Sequence, residues 1–330
     1  MIKITILGAG SLGATLAYLF SKNSNVQIKL WDRSEDKIQD IRNKEFFPSP
    51  SCLKLNQNIY LTTDFLEACK DTEIIICAIP SEHVNQIIQK IKDLNINIKI
   101  LLSGTKGIDN KTSFTMSQLW NSHFPQAKII ALSGPNLSEE IANNKPMRTV
   151  LACKEIQYAQ KIKNILENNL FKVEIIEDII GLELCGAVKN VIAVMAGAWD
   201  GFDLGTSGKG CLLTKALEEI RKFVELMSGS TNTINTVGGI GDLFITCSSA
   251  LSRNYRTGLL LTKGYNIEKI KQELNNQVSE GIFTAELIHK LSLEKGFNFS
   301  ICEKAYELLH TDLSKEQNFL KMKEIFINLI

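Results

Sequence analysis

Short apolar runs rich in β-branched residues recur through the first half of the chain, each bounded by glycine, proline or polar residues. Runs of this length and composition predict buried strands. Segments with apolar residues at helical spacing lie between them, at 34–42, 63–69, 81–91 and 155–168. Strands that alternate with helices predict a doubly wound parallel sheet. The predicted strands cover residues 2–7, 26–31, 59–61, 73–79, 98–102, 128–132, 149–153 and 171–176.

Beyond Glu177 the strand pattern gives way to longer segments whose apolar residues recur three and four positions apart. This spacing predicts helices, and residues 184–196 are apolar on every side, so we expect a buried helix there. No apolar run is expected to approach the length of a membrane span. The pattern therefore predicts an α/β domain over 1–178 and an all-helical domain over 179–330. The predicted helices cover residues 179–199, 212–227, 267–274, 283–294 and 302–309.

The first predicted strand runs directly into the glycine-rich segment 8–13, Gly-Ala-Gly-Ser-Leu-Gly, and an apolar helix follows at once. A strand, a glycine turn and a helix in this order form the fingerprint of a Rossmann-type dinucleotide-binding domain. In that motif Gly8 permits the tight turn, Gly10 lets a pyrophosphate approach the backbone, and Gly13 lets the helix pack closely on the strand. The alternative is a tight strand–helix turn without a ligand.

The second predicted strand leads to Asp32, where an acidic residue commonly binds the ribose 2′-hydroxyl of NAD. A carboxylate there would repel the 2′-phosphate of NADP, whereas the neighbouring Arg33 could accommodate that phosphate. Adjacent residues at a strand end point to different sides, so we expect only one of the two to face the ribose. The preference between NADH and NADPH stays open at this point.

Composition narrows the class of protein further. The 330 residues suit two domains, and a net charge of +1 gives no reason to expect a nucleic acid or a membrane surface as a partner. None of the eight cysteines or four histidines has metal-ligand spacing, so no metal is expected. Most cysteines lie in apolar sequence, which indicates reduced thiols and a cytoplasmic protein. The chain enters a strand directly at its start, so we expect no signal peptide.

Two further polar, glycine-rich loops follow predicted strands, at 103–107 and 133–136. Ligands of open α/β sheets bind beyond the carboxyl ends of the strands, which is where these loops are expected. Lys106 could direct its charge at a phosphate or could be a solvated loop lysine. Gly134 could line the same site or could simply form a turn.

Lys189 and Asn190 are the only strongly polar residues in the apolar segment 184–196. A buried lysine is costly unless it is paired or hydrogen-bonded, so Lys189 is a candidate for proton transfer. The structural alternative is a lysine whose long side chain reaches solvent at a domain boundary. Asp242 could pair with Lys189, bind a substrate hydroxyl or cap a helix over 243–247.

Arg253 and Asn254 follow shortly after the second glycine-rich turn, at 238–241. The planar guanidinium of an arginine suits bidentate binding of a phosphate, and the asparagine amide adds a further donor. The alternative for Arg253 is a solvated surface side chain.

Taken in this order and spacing, the motifs resemble bacterial-type glycerol-3-phosphate dehydrogenase over nearly the whole chain. The resemblance implies reduction of dihydroxyacetone phosphate to sn-glycerol 3-phosphate with NADH or NADPH, which feeds phospholipid synthesis. It also implies that Lys189 is the proton donor and acceptor, and it is compatible with a homodimer. The motifs that carry it lie at 8–13, 105–107, 133–135, 186–191, 239–243, 246–247, 252–254 and 278–281.

The same resemblance implies two sets of ligand contacts. Leu12 stands where the family usually has an aromatic residue, Asn136 where it has Ser or Thr, and Ser138 where it has Ala. The implied substrate contacts are Lys106, Gly134, Asn136, Lys189, Asn190, Asp242, Ser252, Arg253 and Asn254. The implied cofactor contacts, added to the glycine turn and Asp32, are Ser11, Leu12, Arg33, Lys106, Ser138, Arg253, Val278 and Glu280.

Two other functions compete with this interpretation. A related two-domain dehydrogenase could act on another oxo or hydroxy acid, in which case Arg253 would bind a carboxylate. The chain could also be a non-catalytic NAD-sensing protein, although a sensor has no need of a buried proton donor such as Lys189. Dependence of activity on the substrate phosphate would distinguish these possibilities.

Overall fold

The structure is a computed structural model that describes residues 1–50, 52–274 and 279–330. The chain divides into two compact units, Met1–Ile179 and Ile180–Ile330. The first unit contains every strand of the sheet, and the secondary-structure elements in the described residues of the second unit are all helices. This division follows the change of sequence pattern near Glu177.

The first unit is built on one eight-stranded sheet, in which each predicted strand is present within a few residues. The order across the sheet is β3-β2-β1-β4-β5-β6-β7-β8, so the strand order reverses beside β1, as in doubly wound folds. The strands are β1 Ile2–Leu7, β2 Val26–Trp31, β3 Ile59–Thr62, β4 Ile74–Cys77, β5 Ile100–Ser103, β6 Lys128–Ser133, β7 Met147–Ala152 and β8 Phe171–Ile176.

Helices cover both faces of this sheet. Alternate strand residues face opposite sides, so each face has apolar residues for the helices to bury. Ile4 and Leu102 belong to one buried cluster, whereas Leu7 and Leu101 belong to the other. Ser34 caps the second helix, and Asp64 caps the third. The helices are α1 Ser11–Ser21, α2 Glu35–Lys44, α3 Phe65–Cys69, α4 Val84–Asp93, α5 Met116–His123, α6 Ser138–Ala142 and α7 Ile156–Leu166.

One strand pair departs from the predicted parallel arrangement. β7 runs antiparallel to β6, with Ala131 beside Ala152 and Ser133 beside Val150, and β8 is parallel to β7. The connection from β6 to β7 contains only the five-residue α6, which spans about 8 Å, whereas a six-residue strand spans about 20 Å. A parallel β7 would require the chain to return to the edge of the sheet where β6 starts, and a helix this short does not span that distance. The chain therefore turns at the edge where β6 ends, and β7 runs antiparallel.

The second unit consists of helices that the apolar spacing predicts for the most part. The sequence pattern did not predict α11 or α15, and it offered α10 only as one alternative, over 243–247. The helix predicted from residue 212 begins earlier, at Thr206, and the remaining bounds lie within a few residues of those observed. The helices are α8 Ile179–Gly201, α9 Thr206–Leu226, α10 Asp242–Ser248, α11 Arg253–Thr262, α12 Ile267–Glu273, α13 Glu280–Lys295, α14 Ser300–Leu309 and α15 Glu316–Ile327.

Helix α8 is more apolar than we expected of any segment in this chain. With 23 residues and a mean hydropathy of 1.8 in its most apolar window, it is long and apolar enough to cross a membrane, contrary to the prediction. However, 94% of that window is buried inside the protein. A core helix that is surrounded by other helices has this property, because its whole circumference faces apolar side chains.

Candidate active site

The glycine turn after β1 has the close contacts that the fingerprint requires. Gly8 has a φ of +103°, a backbone conformation that side chains disfavour. A Cβ atom on Gly13 would lie 1.8 Å from the Gly8 carbonyl oxygen, so α1 begins against the turn itself. Apart from its chain neighbours, no heavy atom of the described residues lies within 4 Å of a Cβ built on Gly10. The turn therefore leaves open space at the start of α1, which fits the pyrophosphate of a dinucleotide.

Asp32 is buried at the end of β2 and points back at this turn. Its Oδ2 accepts a hydrogen bond from the Ala9 backbone N–H at 2.9 Å and from Lys37 Nζ at 2.8 Å. Its Oδ1 accepts from the Ser34 backbone N–H at 3.1 Å. The carboxylate thus holds the glycine turn and the start of α2 in place, while the adjacent Arg33 is exposed.

The loops after β5 and β6 meet at Lys106. Its Nζ lies 3.4 Å from the Gly134 carbonyl oxygen, so the two loops that the sequence singled out are neighbours. Thr105 fixes the base of the first loop, because its hydroxyl donates to the Ile79 carbonyl at 2.8 Å. Ser103 and Ser133 end the two strands, and both loops therefore leave the sheet at its carboxyl edge.

Asn136 is fixed by a hydrogen bond to Thr149 of strand β7. Thr149 Oγ1 donates to the Ser133 carbonyl at 3.1 Å and accepts from Asn136 Nδ2 at 3.0 Å. This arrangement orients the amide with Oδ1 pointing away from Thr149. Ser138 is the first residue of α6 and is half-buried.

Leu12 and Ser11 lie at the start of α1. Leu12 packs toward Gly104 after β5, since its Cδ2 would be 2.9 Å from a Cβ there. The Ser11 hydroxyl lies 2.6 Å from the hydroxyl of Ser49. Both side chains are half-buried beside the glycine turn.

Within the second unit, Lys189 is buried in the middle of α8 and paired with Asp242. The side chains of Lys189 and Asp242 are only 6% and 1% exposed, so Lys189 does not reach solvent. Lys189 Nζ donates to Asp242 Oδ1 and, at 2.8 Å, to Thr246 Oγ1. Of the alternatives left open for Asp242, the structure therefore shows the ion pair with Lys189.

The backbone around Asp242 explains how it reaches Lys189. Residues Val237–Gly241 form one turn of π-helix directly before α10, and Asp242 is the first residue of that helix. Thr246 follows four residues later on the same face, and its hydroxyl donates to the Asp242 carbonyl at 2.6 Å. Sequence reasoning gave Thr246 no role, although this spacing from Asp242 was the signal.

Asn190 and Glu280 form a second contact beside Lys189. Asn190 is 3% exposed, and its Nδ2 donates to Glu280 Oε2 at 3.2 Å. Glu280 is the first residue of α13. The predicted cofactor contact Val278 lies outside the described residues.

Ser252, Arg253 and Asn254 begin α11. Ser252 is the N-cap, and its Oγ accepts from the Tyr255 backbone N–H at 3.3 Å. Arg253 is exposed, whereas Asn254 is buried. Asn254 Oδ1 accepts from the Gly281 backbone N–H at 2.9 Å, which links α11 to α13.

No group of three or more His, Cys, Asp or Glu side chains that could hold a metal ion occurs among residues 1–50, 52–274 and 279–330. The polar groups gathered in the second unit are a lysine, carboxylates, amides and hydroxyls. These groups suit proton transfer and anion binding.

A doubly wound sheet with this glycine turn is the cofactor domain of a nicotinamide-dependent dehydrogenase, and the helical unit adds a buried lysine suited to proton transfer. The particular family follows from comparison with known proteins. The chain belongs to the NAD-dependent glycerol-3-phosphate dehydrogenases, whose N-terminal and C-terminal family descriptions match residues 3–159 and 178–319. It is therefore an oxidoreductase, as the resemblance implied.

The chain is similar in sequence to individual relatives over almost its whole length. The chain is 33% identical to the glycerol-3-phosphate dehydrogenase (NAD(P)+) of Bacillus subtilis over 316 residues, which cover 94% of this chain and 90% of that one. It is also 33% identical to the Clostridium perfringens enzyme of the same name, over 94% and 93% of the two chains. The crystal structure of glycerol-3-phosphate dehydrogenase from Coxiella burnetii matches with a TM-score of 0.90 at 28% identity, covering 98% and 99%.

More distant structures share only the architecture. A ketopantoate reductase from Ralstonia eutropha matches with a TM-score of 0.64 at 14% identity, over 96% of this chain and 100% of that one. At this identity the likeness shows the fold alone. The competing interpretation as a dehydrogenase of another oxo acid therefore gains no support beyond the shared fold.

Proposed function

We propose that the protein reduces dihydroxyacetone phosphate to sn-glycerol 3-phosphate reversibly, with NADH or NADPH, and so supplies glycerophospholipid synthesis in the cytoplasm. Membership of the family supports the reaction. The observation that carries the proposal on the chain itself is the buried Lys189–Asp242 pair, because an apolar helix interior has no structural need of a lysine. The proposal needs no metal ion.

The glycine turn is proposed to hold the cofactor. The open space at Gly10 and the N–H groups at the start of α1 suit a pyrophosphate, with Ser11, Leu12 and Ser138 as further contacts. The bound nicotinamide supplies the hydride that reduces the ketone carbon. The protein's part is to orient the reactants and to stabilise the charge that develops on the carbonyl oxygen.

Lys189 is proposed to donate the proton. Its ammonium stabilises negative charge on the former carbonyl oxygen and then transfers a proton from Nζ to that oxygen. The Asp242 carboxylate stabilises the buried cation before transfer, and the Thr246 hydroxyl orients Nζ by its hydrogen bond at 2.8 Å. In the reverse direction Nζ accepts the proton from the alcohol.

The phosphate of the substrate is proposed to bind Arg253, with Ser252, Asn254 and Lys106 as further contacts. Exposure leaves the Arg253 guanidinium accessible to a ligand. Binding energy from this remote group can hold the carbonyl in place for reaction. Gly134, Asn136 and Asn190 complete the proposed substrate contacts.

Cofactor choice is proposed to depend on Arg33. The Asp32 carboxylate already accepts three hydrogen bonds, from Lys37 and two backbone N–H groups, which leaves a ribose hydroxyl at most one lone pair, on Oδ1. Arg33 is exposed, and none of the described side-chain hydrogen bonds or ion pairs involves it. We therefore expect both cofactors to function, with NADPH at least as effective as NADH.

The test is an assay of nicotinamide absorbance with dihydroxyacetone phosphate and, in parallel, with unphosphorylated dihydroxyacetone. Arg253→Ala should raise the KM for the phosphorylated substrate about ten-fold or more and have far less effect on the unphosphorylated one. Arg256→Ala is the matched control, since this exposed arginine lies on the same helix. Equal effects of Arg253→Ala on both substrates would contradict a phosphate contact, and absence of turnover in the wild type would contradict the proposed reaction.

A further inference from the structure

The start of α13 is held by the side chain of Asn254, which lies at the start of α11. Asn254 Oδ1 accepts one hydrogen bond from the Gly281 backbone N–H at 2.9 Å and a second from the Ser279 hydroxyl. Asn254 is 9% exposed and Ser279 is 3% exposed. A carbonyl oxygen has two lone pairs, so these donors occupy Oδ1 and leave the Nδ2 group as the part of the amide that can meet a ligand.

Close packing holds the same segment against α8. A Cβ atom on Gly281 would lie 2.5 Å from the Asn190 carbonyl oxygen and 2.9 Å from Asn254 Oδ1. Between Ser279 and Gly281, the Glu280 side chain accepts from Asn190 Nδ2 at 3.2 Å. The close approach at Gly281 and the two hydrogen bonds to Asn254 Oδ1 tie the position of the Asn254 amide to the start of α13, and so to Glu280.

We propose that Ser279 is a positioning residue that couples the binding of substrate to the binding of cofactor. The inference rests on the proposed function, in which Asn254 contacts the substrate phosphate, and on the cofactor contact that the family resemblance implies for Glu280. A phosphate on Asn254 Nδ2 fixes the amide plane. The fixed Oδ1 then orders Ser279 and Gly281, and these two residues fix Glu280 between them.

The coupling is reciprocal on thermodynamic grounds. If substrate tightens cofactor binding through this cluster, cofactor tightens substrate binding by the same factor. Each ligand orders a group that the other also requires, so the second ligand to bind has less conformational entropy to lose. The Ser279 hydroxyl contributes one of the two hydrogen bonds that transmit this effect, and it touches neither ligand in the proposed arrangement.

The experiment measures the Kd of NADPH with and without saturating sn-glycerol 3-phosphate, a pair that cannot react because both molecules are reduced. Ser279→Ala is compared with the wild type and with Ser292→Ala. Ser292 is a matched control because it is also buried on α13, and its hydroxyl bonds Phe297 and Glu303 instead. The coupling is the Kd of NADPH without sn-glycerol 3-phosphate divided by the Kd with it. In Ser279→Ala we expect this ratio to fall about five-fold or more, toward one. Ser292→Ala should keep the wild-type ratio.

Several outcomes decide the inference. Ser279→Thr retains a hydroxyl and should restore the ratio, which a purely structural role of Ser279 would not predict. An unchanged ratio in Ser279→Ala, an equal loss in Ser292→Ala, or a ratio of one in the wild type would overturn the inference. The Kd of each ligand alone tests the proposed function separately, since wild-type binding of both ligands without coupling would leave that function intact.

Discussion

The free energy of burying Lys189 depends on two neighbours in α10. An ammonium transferred from water into an apolar interior loses several kcal/mol of hydration, by order of magnitude, unless charge and hydrogen bonds replace it. Asp242 supplies the opposite charge, and Thr246 supplies a neutral acceptor at 2.8 Å. Removing Lys189 therefore removes the proposed proton donor and also leaves a buried carboxylate without its cation.

We expect Lys189→Ala to reduce kcat by about 10²–10⁴-fold or more, because general acid–base catalysis contributes on this scale. Cofactor binding should be retained, since the glycine turn lies in the other unit. Lys209→Ala is the control: Lys209 is also paired with a carboxylate, Asp200, at 2.6 Å, but has no proposed role. Turnover near the wild-type value in Lys189→Ala, measured at saturating substrate, would rule out Lys189 as the proton donor.

Arg33 gives a second prediction at the scale of one residue. Because Asp32 is engaged by three donors, Arg33→Ala should raise the KM for NADPH about ten-fold, as expected for loss of a hydrogen-bonded charge on the 2′-phosphate. The KM for NADH should change little. Lys44→Ala removes an exposed cation from the adjacent helix as a control. Equal changes for both cofactors at one ionic strength would show that Arg33 does not bind the 2′-phosphate.

At the scale of the element, α14 depends on a carboxylate from another helix. Glu219 of α9 is 6% exposed, and its Oε1 accepts from the Ile301 backbone N–H at 2.7 Å and from the Ser300 hydroxyl at 2.8 Å. Its Oε2 accepts from the Cys302 backbone N–H at 3.2 Å. The first N–H groups of a helix lack partners within the helix, so Glu219 caps α14 from outside.

Glu219→Ala should therefore lower the free energy of unfolding by about 3 kcal/mol, because buried donors lose a charged acceptor. The KM for either ligand should stay near the wild-type value, since no proposed site residue bonds Glu219. Glu218→Ala, at the exposed neighbouring position, should have little effect on denaturant unfolding. Equal destabilisation by the two substitutions would contradict the capping role.

For the whole molecule, burial controls the chemistry of the cysteines. All eight are free thiols, as the sequence predicts, and only Cys52 and Cys211 are exposed. Burial raises the pKa of the Cys247 thiol to about 12 and that of Cys77 to about 11. A thiol whose pKa is raised stays protonated as the pH increases to that value, and the protonated form is a poor nucleophile.

Titration of the folded protein with a thiol reagent near pH 8, about three to four units below these pKa values, should therefore modify Cys52 and Cys211. The remaining thiols should react after denaturation. Mass spectrometry of the labelled peptides identifies the sites. Modification of Cys247 at the rate of Cys211 in the folded protein would show that the interior of the helical unit opens readily.

The local features of this chain could be predicted from its sequence. The spacing of apolar residues and the positions of glycines predict the eight strands, the glycine turn and the burial of residues 184–196. These signals are local, because each depends on residues close together in the sequence. Helix α15 was missed although its apolar residues have helical spacing. The antiparallel β7 was missed because strand direction depends on how far the short α6 can carry the chain.

The class of fold, the glycine turn and the candidate residues could be predicted from the sequence, because each depends on short segments whose period and composition are visible in one dimension. Which of the candidates interact depends on how the chain packs in three dimensions. The Lys189 ammonium is paired with Asp242, the Asp32 carboxylate turns toward Ala9, and the Asn254 amide is engaged by Ser279 and Gly281. Such contacts join residues far apart along the chain, and their free energy depends on distance, orientation and exclusion of water, which exist only once the chain has folded.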